Sequence, residues 1–263
     1  MINLHERLSE FSYGFGVTWE TQKLLGSVGF RTTPFLPSLL HEAELGFDVG
    51  FKDNGRIFIL QFKLGQEMQK FRRAYPGQPI PNLDRPFWRF PIDEQGHQFE
   101  RLVEFENEGA EVYYVAPRFS HWAIYEKAFQ AGEILENSLI ISPSAIRNGI
   151  LAQGSNIGTH RIVYDNLRIH VCSEPVELQS IQPQEIAHRT RVEISERPIK
   201  LDGQIERIYS REITESGPGK LADTRQEAIF KRAKRKIDAM AAIIGLEAWS
   251  QGAQLIFVTD VES

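Results

Sequence analysis

The sequence predicts an α/β protein in which a central mixed β-sheet is flanked by helices. Three observations carry this expectation. Leu45–Phe51 (LGFDVGF) and Arg56–Leu64 (RIFILQFKL) alternate in character on either side of Lys52-Asp53-Asn54-Gly55, the signature of a β-hairpin. Gln98–Glu108 sets Phe99, Leu102 and Val103 against a run of glutamates, as an amphipathic helix does, and Glu111–Ala116 (EVYYVA) follows as a short apolar strand of the kind buried in a mixed sheet. The chain has 263 residues, 41% apolar and 25% charged, a globular composition with enough apolar surface for one large domain or a core plus an extension.

The elements follow in order. Val17, Leu24 and Leu25 have helical spacing, with Thr18 as an N-cap and Gly29 as a stop, so one helix is expected there. Phe30–Leu36 reads as extended, interrupted by Pro34 and followed by Pro37. Residues 64–95 are rich in turn-formers, among them Pro76, Gly77, Pro79, Pro81 and Pro86, and are expected to form a long irregular excursion. Beyond the strand at 111–116, Trp122–Ala131 reads as helix, and Ser138–Ile141 and Arg168–Val171 as strands. Glu185–Gly219 is polar with no clear period, which places a possible boundary near residue 180 between a domain of residues 1–180 and an extension of residues 181–263, unless the latter belongs to the same domain. Ile229, Ala233, Ile237, Met240 and Ile244 recur at four, four, three and four, predicting one long amphipathic helix over 222–249 before a closing strand, Leu255–Thr259.

Composition narrows the function. A single cysteine, Cys172, allows neither an internal disulfide nor a multi-cysteine zinc site and fits a reducing compartment, so a cytoplasmic location is expected. Cys172 in the apolar IHVC reads as a buried structural thiol. The N-terminal stretch carries Glu6, Arg7 and Glu10 where a secretory signal needs an apolar run, and no long uncharged apolar stretch predicts a membrane span. The net charge of −5 means that any contact with nucleic acid must come from local basic patches. Gly217-Pro218-Gly219-Lys220 lacks the spacing of a phosphate loop, and no dinucleotide fingerprint occurs.

If Asn54-Gly55 is a two-residue type I′ turn, Asp48 lies directly opposite Gln61. Asp48, Gly50, Gln61 and Lys63 then share one face, and Phe47, Val49, Phe51, Phe58, Leu60 and Phe62 the other. A carboxylate and an amide oxygen whose β-carbons are about 5 Å apart can hold one hard cation between them.

The arrangement of Asp48 on one hairpin strand and Gln61-Phe62-Lys63 on the next, after one helix and before another helix and a strand, resembles the core of the PD-(D/E)xK, or restriction-endonuclease-like, nucleases over roughly residues 17–116. Gln98 followed by Leu102 is similar to the Q-x-x-x-Y element that some members carry on the next helix. Two departures stand out: Phe47 occupies the motif's proline position, and Gln61 replaces the commoner glutamate. The resemblance implies a restriction-endonuclease-like core with a C-terminal extension and a metal-dependent hydrolase acting on DNA, in microbial restriction, repair or phage defence. It implies Asp48, Gln61, Lys63 and Glu20 as catalytic residues, and Mg²⁺ or Mn²⁺ on Asp48, the Gln61 side-chain oxygen, the Phe62 carbonyl and Glu20. Glu44, with the parity of Asp48, is an alternative third ligand. Lys63 would orient or deprotonate the attacking water, or neutralise charge on phosphorus. The rival reading is a catalytically silent nuclease-like domain that binds nucleic acid or a protein partner.

The excursion holds Lys70, Arg72, Arg73, Arg85 and Arg89 among Phe71, Tyr75, Phe87, Trp88 and Phe90. Guanidinium groups grip phosphate and aromatic faces stack on bases, so Lys70, Arg72, Arg73, Arg85, Trp88 and Arg89 form a candidate nucleic-acid clamp, against the alternative of a packed aromatic loop with solvated arginines. A second basic run, Lys231–Lys236, is expected on the exposed face of the long helix. DNA is the expected partner, with a protein partner or homo-oligomer also open.

Overall fold

A computed structural model describes residues 8–36, 49–73, 75–93, 97–154, 159–172, 174–214 and 223–260. Asp48, Glu44, Phe47 and the 217–220 segment lie outside the described residues. The elements in chain order are α1 (Glu10–Ser27), β1 (Phe30–Pro34), β2 (Gly55–Phe62), β3 (Gln66–Met68), β4 (Phe87–Asp93), α2 (His97–Asn107), β5 (Glu111–Pro117), α3 (Trp122–Ala131), β6 (Ser138–Ile141), α4 (Pro143–Ala152), β7 (Thr159–Tyr164), β8 (Ile169–Cys172), β9 (Val176–Leu178), α5 (Pro183–Glu196), α6 (Leu201–Thr214), α7 (Asp223–Arg232), α8 (Lys236–Ser250) and β10 (Ala253–Asp260). The class is α/β, with a mixed five-stranded sheet of order β1-β10-β2-β5-β6 and a second five-stranded sheet of order β3-β4-β7-β8-β9.

The chain divides into two compact units, each assembled from separated stretches: residues 1–21, 62–103 and 113–183 in one, and residues 22–61, 104–112 and 184–263 in the other. The segment beyond residue 183 therefore shares its unit with residues 22–61. β10 accounts for this, pairing antiparallel with β1 through Phe30↔Asp260 to Pro34↔Ile256 and with β2 through Gly55↔Thr259 to Gln61↔Ala253.

That pairing corrects the hairpin. β2 has β10 on one side and β5 on the other, so its neighbours in the sheet come from distant segments and not from the described residues 49–54 that precede it. The described part of that stretch turns instead: Phe51 N donates to Val49 O at 2.9 Å and Asp53 N to Gly50 O at 2.9 Å, while Asn54 bridges to Lys200. β2 is also buried along its whole length, so its Arg56 and Gln61 are not a solvent face. Arg56 is 2% exposed and satisfies its guanidinium on the carbonyls of Gly55 at 2.9 Å and Arg197 at 2.9 Å.

The helix expected from Val17 begins earlier. Ser9 Oγ, not Thr18, receives the first-turn N–H of Ser12 at 3.0 Å. Tyr13, Val17, Glu20, Thr21 and Leu25 form the buried stripe, and Gly14 lets the Phe62 ring lie against the helix, where an added Cβ would sit 2.5 Å from the ring.

Two strands interrupt the expected irregular excursion, and Trp88, Phe90 and Ile92, at every second position of β4, are buried on one face of the strand. Pro91 is accommodated because β3 pairs only with Phe87–Arg89, leaving β4 with one ladder partner beyond that point. The stretch 185–219 contains α5 and α6, whose apolar stripes are masked by buried polar residues: Thr190 is 1% and Gln204 0% exposed. Gln204 earns its place by accepting from Ile57 N at 2.8 Å and donating to Gly109 O at 2.5 Å.

The single long helix expected over 222–249 is two helices. Arg235, in extended conformation, breaks the chain, fastens to Asp238 at 2.7 Å and lies 5.3 Å from the Phe51 ring centroid. The basic run therefore straddles a break and does not line one exposed helix face. Among the described residues no helix is long and apolar enough to cross a membrane.

Candidate functional site

Lys63 follows β2 directly and is held by its backbone, with Lys63 N donating to Val115 O at 3.0 Å. Its ammonium Nζ donates to Gln98 Oε1 at 2.8 Å, from the first turn of α2. The last residue of the Gln61-Phe62-Lys63 triplet and the helix glutamine, recognised separately in the sequence, are thus in contact. Burial pushes the Lys63 pKa below the ordinary lysine range, and the Glu10 carboxylate opposes that shift. Glu10 is itself raised by burial, with Lys63 opposing. An ammonium has three donors, so Lys63 keeps two beyond the one given to Gln98.

The other expected site residues have different positions. Glu20 is 6% exposed, and its two carboxylate oxygens accept from successive turn amides, Ile134 N at 2.9 Å and Leu135 N at 2.8 Å. This is a structural role, because the carboxylate answers two backbone donors that would otherwise be buried without an acceptor. Gln61 is 1% exposed, and its Nε2 donates to Gly252 O at 3.2 Å. The Phe62 ring is buried edge-on to Tyr13, with centroids 6.3 Å apart. Among the described residues no group of three or more His, Cys, Asp or Glu side chains converges in a way that would hold a metal ion. Of the four implied ligands, Asp48 lies outside the described residues and Glu20 is engaged, which leaves the neutral oxygens of Gln61 and Phe62, and these do not by themselves fit a divalent cation.

The candidate clamp divides. Lys70, Arg72 and Arg89 line one cavity, together with Met68, Phe71, Tyr75, Gln78, Phe87, Arg161, Val163 and Cys172. Arg85 and Lys70 line a neighbouring one, and Arg73 is exposed. Trp88 does not offer a stacking face: it is 4% exposed and packs 6.0 Å from Tyr164, on the opposite side of β4 from Phe87 and Arg89. Sequence reasoning missed Arg161, which lies more than sixty residues beyond the excursion and reaches the cavity through the pairing of β7 with β4. Cys172 is buried, and burial pushes its thiol pKa up to about 12.

No family model, curated protein or solved structure matches this chain.

Proposed function

We propose that this protein is a metal-dependent nuclease that hydrolyses phosphodiester bonds in DNA. The observation that carries the reading is the 2.8 Å contact from Lys63 Nζ to Gln98 Oε1, which joins two elements of the resemblance that are 35 residues apart. In this reading Gln98 orients the ammonium, and the two remaining Lys63 donors face the scissile phosphate, where they neutralise charge on its oxygens. Partial burial strengthens that interaction by excluding competing water. The cation the resemblance implies requires Asp48 in addition to Gln61 and Phe62, and Glu20 is not part of the proposal. A setting in restriction, repair or phage defence follows from the same resemblance.

The test incubates the purified protein with supercoiled plasmid, single-stranded DNA and RNA, each with Mg²⁺, Mn²⁺ or EDTA. DNA cleavage is expected with metal and not with EDTA, and Lys63→Ala and Asp48→Ala are expected to abolish it in folded protein. Cleavage by either variant at the parent rate refutes the assignment. The second reading, a silent nuclease-like domain that binds nucleic acid or a protein, is favoured by Gln61, whose amide is tied to Gly252 O. Binding of DNA without cleavage under every metal condition selects it.

A further inference from the structure

The cavity at residues 68–89 carries an arrangement that the excursion alone does not explain. On one face of the second sheet the register sets Gln66↔Arg89 and Met68↔Phe87 between β3 and β4, Arg89↔Val163 between β4 and β7, and Arg161↔Cys172 between β7 and β8. Arg89 and Arg161 are therefore diagonal neighbours on adjacent strands, a separation of about 7–8 Å or somewhat less in ordinary sheet geometry. Arg72 and Lys70 reach the same cavity from the chain that follows β3. Phe87, Val163 and Cys172 are buried beneath, so the floor is apolar and the cations stand around it.

The described carboxylates do not pair with this group. Among the described residues Lys70, Arg72, Arg89 and Arg161 make no ion pair; Arg89 donates twice to the neutral Gln66 Oε1, at 3.0 and 2.8 Å. Glu174, at Tyr75, accepts from the phenol hydroxyl. The Arg89 guanidinium is held below its ordinary range by burial, then by the charges of Arg161 and Arg72. A chain with 35 acidic and 30 basic residues that gathers four cations, none of them ion-paired among the described residues, has built a local field opposite to its overall sign.

We propose that this cavity is a phosphomonoester site that takes the terminal phosphate of one nucleotide, with Arg72, Arg89 and Arg161 as oxyanion ligands, Lys70 beside them, and Phe71 and Tyr75 against the attached nucleoside. Three features favour a nucleotide end over a length of polyanion. The cavity holds about 220 Å³, below the roughly 300–1,000 Å³ of common small-molecule pockets, which suits a phosphate and part of a nucleoside. The acidic molecule exerts no long-range pull on extended nucleic acid. A terminal phosphate carries up to two negative charges against one for an internal diester, so converging guanidinium groups favour it. The inference extends the nucleic-acid reading of the excursion, and it does not require hydrolysis at Lys63.

Calorimetric titration in EDTA tests it, with deoxyadenosine 5′-monophosphate, deoxyadenosine, and a single-stranded DNA oligomer with and without a 5′-phosphate as probes. The monophosphate is expected to bind at least tenfold more tightly than deoxyadenosine. Arg161→Gln and Arg72→Gln, at exposed positions without ion pairs, should each weaken it at least tenfold while leaving the thermal midpoint unchanged. A preference for the phosphorylated oligomer identifies a strand end as the source of the phosphate; binding of the monophosphate with no such preference identifies a free nucleotide. Equal affinity for monophosphate and deoxyadenosine, or parental affinity in both arginine variants, overturns the proposal. Lys63→Ala should bind the monophosphate as the parent does, so failure of the nuclease reading and failure of this site give different results.

Discussion

Removing the Glu20 carboxylate separates a structural role from metal ligation. Its two oxygens accept from Ile134 N and Leu135 N at 2.9 and 2.8 Å, in a position only 6% exposed. Leaving a buried N–H without an acceptor costs about 1–3 kcal/mol, so Glu20→Ala, which strands two, is expected to lower stability by about 2–6 kcal/mol. Against a typical total of about 5–15 kcal/mol that is a large fraction. Glu20→Gln retains one acceptor oxygen and should cost about half as much. Urea denaturation of parent and both variants, followed by circular dichroism, measures the loss; Mn²⁺ titration of the folded fraction measures ligation. A Glu20→Ala protein with parental stability and weakened Mn²⁺ binding would refute the structural assignment and return Glu20 to the metal site.

Two further outcomes follow from titrating groups. If Lys63 acts as an ammonium, cleavage should fall on the alkaline side as pH rises through its depressed pKa, below the ordinary lysine value of 10.5, and Lys63→Arg, which stays charged, should move that limb upward in whatever activity it retains; a limb in the same place in both proteins excludes Lys63 as its origin. The Cys172 thiol, with its pKa pushed up to about 12 by burial, should resist iodoacetamide in native protein at pH 8 and react readily in urea, as read by mass spectrometry; rapid native alkylation contradicts its placement.

The sequence by itself determined the elements whose signal is local. The apolar strand at Glu111–Pro117, the strand Ser138–Ile141 and the helix Trp122–Ala131 were legible because hydrophobic periodicity is written within a single turn or pleat. The Gln61-x-Lys63 triplet and Gln98 were legible as residues, but their relation was not, since the contact from Lys63 to Gln98 depends on how α2 returns after β4. Glu20 had the residue type of a metal ligand, and only the turn at Ile134 and Leu135 supplied the donors that occupy it. Tertiary structure also decided the partner of β2: Asn54-Gly55 favours a local hairpin, yet the backbone of β10, nearly two hundred residues away, takes that edge. In the same way α5 and α6 stayed hidden because Thr190 and Gln204 look polar until their partners are known, and Arg161 joined Arg89 only through strand register. Propensity and periodicity act over a few residues, whereas hydrogen-bond partners and converging charges come from segments that are distant in sequence and meet only when the chain has packed.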